Sequence, residues 1–252
     1  MLSNFHTHTF RCQHASGEDK EYVEAAIHSG LKVLGFSDHC PWLFPDGYIS
    51  RIRMTPAQLD NYFSSIESLK KEYSSDIKIY AGFEAEYTPA LNASQEKLFR
   101  GYPIDYMILG QHFMGSESDS VFVGRPSDDE DILKQYADLV IEGIATGKYL
   151  YLAHPDIINY IGSDEVYNKH ISRLCHFMKE KEIPLEINVL GLWEQRPYPS
   201  ARFWEIAGKI GNTAVIGIDA HAPEQILNSE AIHKAEQFCE TYGLKRVELA
   251  LS

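Results

Sequence analysis

Seven of the eleven histidines stand at or just past the end of a short apolar run. His6 and His8 follow the opening segment 1–5, and His14 comes shortly after. His39 follows 33–38, His112 follows 106–111, His154 follows 149–153 and His221 follows 214–220. Glu84 and Asp219 occupy the same kind of position. Side chains at the ends of neighbouring parallel strands converge, and a convergent set of imidazoles and carboxylates is a metal site. In His6-Thr7-His8 the two imidazoles lie at i and i+2, so on a strand they face the same side. Asp38 is an additional candidate ligand, and Glu86 stands in reserve for Glu84. One zinc ion takes three or four protein ligands, so nine or ten candidates imply two or three metals. Nitrogen and oxygen donors without thiolate suit Zn, Mn or Fe better than Mg or Ca. Close divalent cations suit phosphoester hydrolysis, with a bridging water, deprotonated near neutral pH, as the nucleophile.

The elements that must position these residues alternate along the chain. Candidate strands lie at about 2–6, 32–38, 77–83, 104–110, 149–154, 185–189 and 214–219. Most are nearly continuous apolar runs, as expected of strands buried on both faces. Helical patterns fall at 18–29, 56–73, 127–146, 164–181, 200–210 and 223–242. Thr55 is placed to cap the second, ahead of Pro56, and Ser127 with Glu130 forms a capping-box pattern for the third. Some seven βα units with ligands at the strand ends imply an α/β barrel, with the site at its C-terminal face. No linker or repeat divides the chain, so 1–252 reads as one domain. The acidic stretch 116–131 reads as a solvated loop. The stretch 40–54, rich in aromatics and carrying Arg51 and Arg53, reads either as a lid over the site or as a packed surface loop.

The formal net charge of −13 argues against nucleic-acid binding, which favours a basic face. No apolar run is long enough to span a bilayer, and no charged segment followed by an apolar stretch opens the chain. The expected setting is the cytoplasm, with no membrane partner. Cys12, Cys40, Cys175 and Cys239 form no CxxC pair and read as reduced thiols, the first two next to histidine motifs. His28, His170, His176 and His233 fall within helical stretches and read as ordinary surface or interhelical residues.

In combination, His6-Thr-His8 with His14, Ser37-Asp-His39, Gly82-Phe-Glu84, Gly110-Gln-His112, Ala153-His154-Pro-Asp156 and Gly217-Ile-Asp219-Ala-His221 resemble the PHP (polymerase and histidinol phosphatase) family of metal-dependent phosphoesterases. The resemblance runs in order along essentially the whole chain and implies a distorted (β/α)7 TIM-like barrel. It further implies that His6, His8, Glu84 and Asp219 hold one metal, that His14, His39 and His221 hold a second, and that Glu84, His112 and His154 hold a third. Within the family, Leu185-Glu-Ile-Asn188 and Tyr198-Pro-Ser200 are similar to the stand-alone histidinol-phosphatase type. The implied substrate is a small phosphorylated metabolite, and the implied reaction converts L-histidinol phosphate and water to L-histidinol and phosphate. Asp219, His221 and Arg196 are the residues expected to act in it. Characterised members carry a basic residue shortly after the fifth strand's histidine, where this chain has Ile157-Ile-Asn-Tyr160. Arg196, and secondarily Arg11, are therefore the expected phosphate ligands, and Asp156 a candidate acid for the leaving group. The alternatives are a phosphatase of another small metabolite, a PHP-type nuclease and a non-catalytic metal-binding regulatory module. An amidohydrolase-type barrel also opens on His-x-His, but it needs a lysine at the fourth strand end and an eighth strand.

Overall fold

A computed structural model describes residues 1–44 and 46–251; Pro45, within the 40–54 stretch, and Ser252 lie outside the described residues. The elements alternate as β1 (Ser3–Asn4), α1 (Asp19–His28), β2 (Val33–His39), α2 (Leu59–Glu72), β3 (Lys78–Ala85), α3 (Pro89–Leu98) and β4 (Tyr106–Leu109). They continue as α4 (Glu130–Ala145), α5 (Asp164–Glu180), β5 (Leu185–Asn188), α6 (Val189–Trp193), α7 (Ala201–Ile210), β6 (Thr213–Gly217), α8 (Pro223–Ile226), α9 (Ser229–Thr241) and β7 (Lys245–Arg246). All pairings between these strands are parallel. They form one sheet in the order β1-β2-β3-β4 and another in the order β5-β6-β7. Single bridges join the sheets on both flanks: Leu109 to Leu152 and Leu152 to Leu185 on one side, Thr7 to Ala220 on the other.

The expected strand at 149–154 is thus reduced to bridges made by Leu152. His154 turns out of the extended conformation at φ 27, and its amide donates to the Glu186 side chain rather than to a neighbouring carbonyl. Four other expectations shift. The 223–242 helix breaks into α8 and α9, because Asn228 caps a new helix start through the Ala231 amide. The third expected helix begins later than Ser127, at Asp129, whose carboxylate accepts from the Asp131 amide. Helices α3 and α6 and strand β7 were not anticipated. The 116–131 stretch is not simply solvated, since Val123 joins the core and Glu117 folds back onto Arg53. Thr55 does cap its helix, which opens with a tight turn at Pro56–Gln58.

Side chains on strands alternate between two faces. In β3, Ile79, Ala81 and Phe83 pack in the large core shared with the helices, while Tyr80 joins a second, smaller cluster. That cluster contains Phe5, Tyr80, Tyr106, Ile108, Tyr151, Ala153 and Val215, and Val247, Leu249 and Leu251 pack against it. The face carrying Tyr80 and Gly82 also carries Glu84; the one carrying Val215 and Gly217 carries Asp219; the one carrying Val33 carries His39. The same alternation that fills the lower interior with aromatics therefore aims acidic and imidazole groups inward at the C-terminal strand ends. Among the described residues, no helix is long and apolar enough to cross a membrane.

Candidate metal centre

All nine expected ligands come together. His6 Nε2 lies 3.3 Å from Asp219 Oδ1 and 3.6 Å from Glu84 Oε2. His8 Nε2 lies 3.0 Å and 3.6 Å from the same two oxygens. His39 Nδ1 is 3.0 Å from Glu84 Oε2, while His154 Nε2 and His112 Nε2 approach Glu84 Oε1 at 2.6 Å and 3.4 Å. His14 Nε2 and His221 Nε2 face each other at 3.0 Å. Ligand atoms of His6, His8 and Asp219 lie within 4.8 Å of one another, as do those of His14, His39 and His221, and those of His6, Glu84 and His154.

The donor set fits divalent cations. His6 Nε2, His8 Nε2, His39 Nδ1 and Glu84 Oε2 are buried without a hydrogen-bond partner, the three nitrogens lying 3.6, 3.6 and 3.0 Å from Glu84 Oε2. Unpartnered buried polar atoms are costly, and cations coordinated at this centre would satisfy them. The charge states of two carboxylates and two imidazoles point the same way, whereas the acids beside His6, His8 and His112 raise those three against burial. Burial works against the Glu84 carboxylate, but His112, His39, His6 and His154 hold it well below the usual range. Asp219 is likewise held well below its usual range, against burial, by His6, His8 and His221. Burial and the neighbouring His8 depress His39 well below its ordinary value, and the same two causes push His221 down to about 3. Ionised carboxylates and neutral imidazoles are the ligand forms that metals take.

Behind this inner set lies an outer one. Glu186 Oε1 sits 2.7 Å from His6 Nδ1, and its other oxygen accepts from the His154 amide and from Asn188. Glu86 Oε1 lies 3.1 Å from His112 Nδ1. Asp38 Oδ1 is 3.6 Å from His8 Nδ1, and its other oxygen accepts from Thr9. Asp38 and Glu86 were candidate or reserve ligands; the structure sets both on the far side of a histidine from the centre, where a carboxylate fixes ring tautomer and orientation. Glu186 was missed in this role, although a charged residue inside the buried run Leu185-Glu-Ile-Asn188 was a usable signal.

The centre opens into a pocket of about 260 Å³. Ile52, Phe122, Ile157 and Leu190 give it an apolar wall; Glu194, Arg196, Tyr198 and Gln225 add polar groups, and Asp219 and His221 line its floor. Arg196 donates to Glu194 at 2.8 Å and to the Tyr198 hydroxyl at 2.7 Å. Arg11 is not part of this pocket: its guanidinium is buried and turned onto Asp19 and Asn61, each at 2.9 Å. That ion pair removes it from the phosphate-binding expectation. Asp156 is also set apart, its Oδ2 holding the Ser200 amide and the Trp204 indole at the start of α7. Of the histidines read as bystanders, His170 is interhelical, bonded from α5 to Glu130 on α4, and none of the four reaches the centre.

The PHP domain model matches residues 4–189. The chain belongs to the PHP-domain family. The chain is 28% identical over 235 residues to a Deinococcus radiodurans protein named probable histidinol-phosphatase, spanning 89% of this chain and 88% of the relative. Its fold is that of a Listeria monocytogenes crystal structure (TM-score 0.75, 20% identity, 92% of this chain and 99% of the other). It is also that of the histidinol phosphate phosphatase of Lactococcus lactis, solved with zinc, L-histidinol and phosphate (TM-score 0.73, 19% identity, 98% and 95% covered).

Proposed function

We propose that this PHP domain is a metal-dependent phosphatase of the histidinol-phosphatase type, hydrolysing L-histidinol phosphate to L-histidinol and phosphate. The observation that carries the reading is the meeting of nine imidazoles and carboxylates, several of them unpartnered and seven of them lining a pocket that Arg196 also lines. The two bridged sheets are read as a distorted (β/α)7 barrel, and the chain as one phosphoesterase domain. Two or three divalent ions of zinc, manganese or iron are assigned to three ligand sets: His6, His8, Glu84 and Asp219; His14, His39 and His221; and Glu84, His112 and His154. When bound, such ions polarise phosphoryl oxygens and make water nucleophilic near neutral pH.

The protein's own groups bind and orient. Arg196, kept in place by Glu194 and Tyr198, offers its positive charge to the phosphoryl group as negative charge builds there. The apolar wall suits an imidazole ring and excludes water, and the Glu194 carboxylate suits the ammonium group of L-histidinol. Similarity to the D. radiodurans relative named probable histidinol-phosphatase, and the ligands of the L. lactis structure, support this substrate. Four free, buried cysteines support a cytoplasmic setting.

A phosphatase screen over phosphorylated metabolites, with metal content measured on the same sample, tests the proposal. L-Histidinol phosphate should be the preferred substrate, and His8→Ala or Asp219→Ala should remove both activity and bound metal. Full activity in a variant shown to be metal-free would overturn it.

A further inference from the structure

The 40–54 stretch holds an arginine side chain that is buried away from the pocket rim yet linked to the centre. Arg53 is 1% exposed. Its Nη2 and Nη1 donate to the two oxygens of Glu86 at 2.9 and 3.1 Å, and Nη1 also donates to the Cys40 carbonyl at 2.9 Å. Its Nε donates to Glu117 at 2.6 Å, and its guanidinium stacks on Trp42, 4.1 Å from the ring centroid. The two carboxylates it joins do different jobs. Glu86 faces His112 Nδ1. Glu117 accepts from Ser50 and Tyr48 of the same stretch, and it belongs to a small hairpin that springs from His112 itself, where Phe113 pairs with Phe122 and the Val123 amide donates to the His112 carbonyl. Ile52 and Phe122, one from each rim segment, both line the pocket. Gln13, next to His14, donates to the Ser50 and Arg53 carbonyls and ties the stretch to the other edge of the centre.

We propose that Arg53 is a positioning residue that sets the His112 imbidazole and the two rim segments of the pocket as one unit, through Glu86 on one side and Glu117 on the other. A planar guanidinium with donors in a fixed fork can hold two carboxylates in a set relation; an ammonium cannot. The Glu86 arm governs ligation by His112, because a carboxylate on Nδ1 fixes the ring so that Nε2 faces Glu84. The Glu117 arm governs the mouth, because it holds Ile52 and Phe122 at their places on the wall. This inference rests on the phosphatase reading only for its kinetic readouts.

The test compares full-length wild type with Glu86→Gln, Glu117→Gln and Arg53→Lys, each loaded with Mn²⁺ or Zn²⁺. Metal affinity is measured by titration, hydrogen exchange is followed over 40–54 and 112–124, and KM and kcat are taken on L-histidinol phosphate. Glu86→Gln should weaken the most labile metal by about 10–100-fold with exchange at 40–54 unchanged. Glu117→Gln should speed exchange in both rim segments and raise KM, with metal affinity and kcat unchanged. Arg53→Lys should show both defects, and because it keeps a buried cation beside Glu86 it guards against a variant that merely fails to fold. The proposal is overturned if Glu117→Gln loses metal as Glu86→Gln does, or if Arg53→Lys matches wild type in affinity and exchange. If no protein, wild type included, turns over a phosphomonoester, the phosphatase reading fails while the metal and exchange results still decide the role of Arg53.

Discussion

At the scale of single residues, the centre is built in two layers with opposite demands. The inner ligands need free lone pairs, and the outer carboxylates need to be occupied by a ring N–H. Glu186 meets that second demand most fully, with His6, the His154 amide and Asn188 all directed at its two oxygens. Glu186→Gln keeps the shape but replaces an acceptor pair with one acceptor and one donor. Metal affinity should fall by about 10–100-fold with the folded spectrum retained; titration giving wild-type affinity would refute this role. The inner ligands were legible because a histidine that ends an apolar run has few structural reasons to be there. The division between layers was not legible. Asp38 and Glu86 have the right chemistry and the right spacing, and only the direction in which each side chain leaves the backbone sets it behind a histidine rather than beside a metal.

At the scale of elements, each strand end must leave room for its neighbour's acid. A Cβ on Gly110, just past β4, would sit well inside contact distance of Glu84 Oε1, and one on Gly217, at the end of β6, would do the same to Glu186. Gly110→Ala should push Glu84 off its place, cutting metal affinity at least about tenfold while helix content by circular dichroism stays unchanged. Retention of full metal content would show that Glu84 can adapt. Asp156 gives the start of α7 a titration of its own. Burial pushes its carboxyl up to about 7, against the donors from Ser200 and Trp204. The folded chain then holds this proton more tightly than the unfolded one, so the group favours folding most below the usual carboxylate range, and that contribution is lost as pH rises towards 7. Asp156→Asn keeps an acceptor oxygen and cannot titrate. Its urea midpoint should fall less than that of wild type between pH 5 and 7.5, and identical slopes would rule the assignment out. Periodicity revealed the long ladder strands β2 and β3 almost to the residue. It overstated 149–154, whose apolar content is that of a strand but whose last amide, that of His154, is taken by the Glu186 side chain. It missed α3, although Thr88 followed by Pro89 was a start signal of the same kind as Thr55-Pro56.

At the scale of the whole molecule, the end opposite the centre is closed by the last described residues. Val247, Leu249 and Leu251 pack against the inner aromatic cluster, and the Tyr80 hydroxyl donates to the Leu251 carbonyl at 2.8 Å. Deleting 247–252 should lower stability by roughly 3 kcal/mol, from about 1 kcal/mol for each half-buried apolar side chain, and leave metal content intact at low temperature. A thermal midpoint equal to wild type would show that the plug is dispensable. Strand β7 itself carried no signal: two exposed basic residues have neither alternation nor an apolar run, and their pairing with β6 exists only once the rest of the sheet offers an edge. The general architecture was legible because every unit repeats the same pattern, whereas the joints between the sheets rest on single residues. One joint has a consequence in time. Thr7 pairs with Ala220, and His8 reaches Asp219, so the first ligands to emerge during synthesis wait for nearly the last. At roughly 5–20 residues per second that interval is about 10–40 s, during which a nascent chain carries the His-x-His pair and then Glu84 but not yet Asp219. The set of His6, His8, Glu84 and Asp219 is thereby completed only once Asp219 has been made, and a product cut short before it would lack that acid.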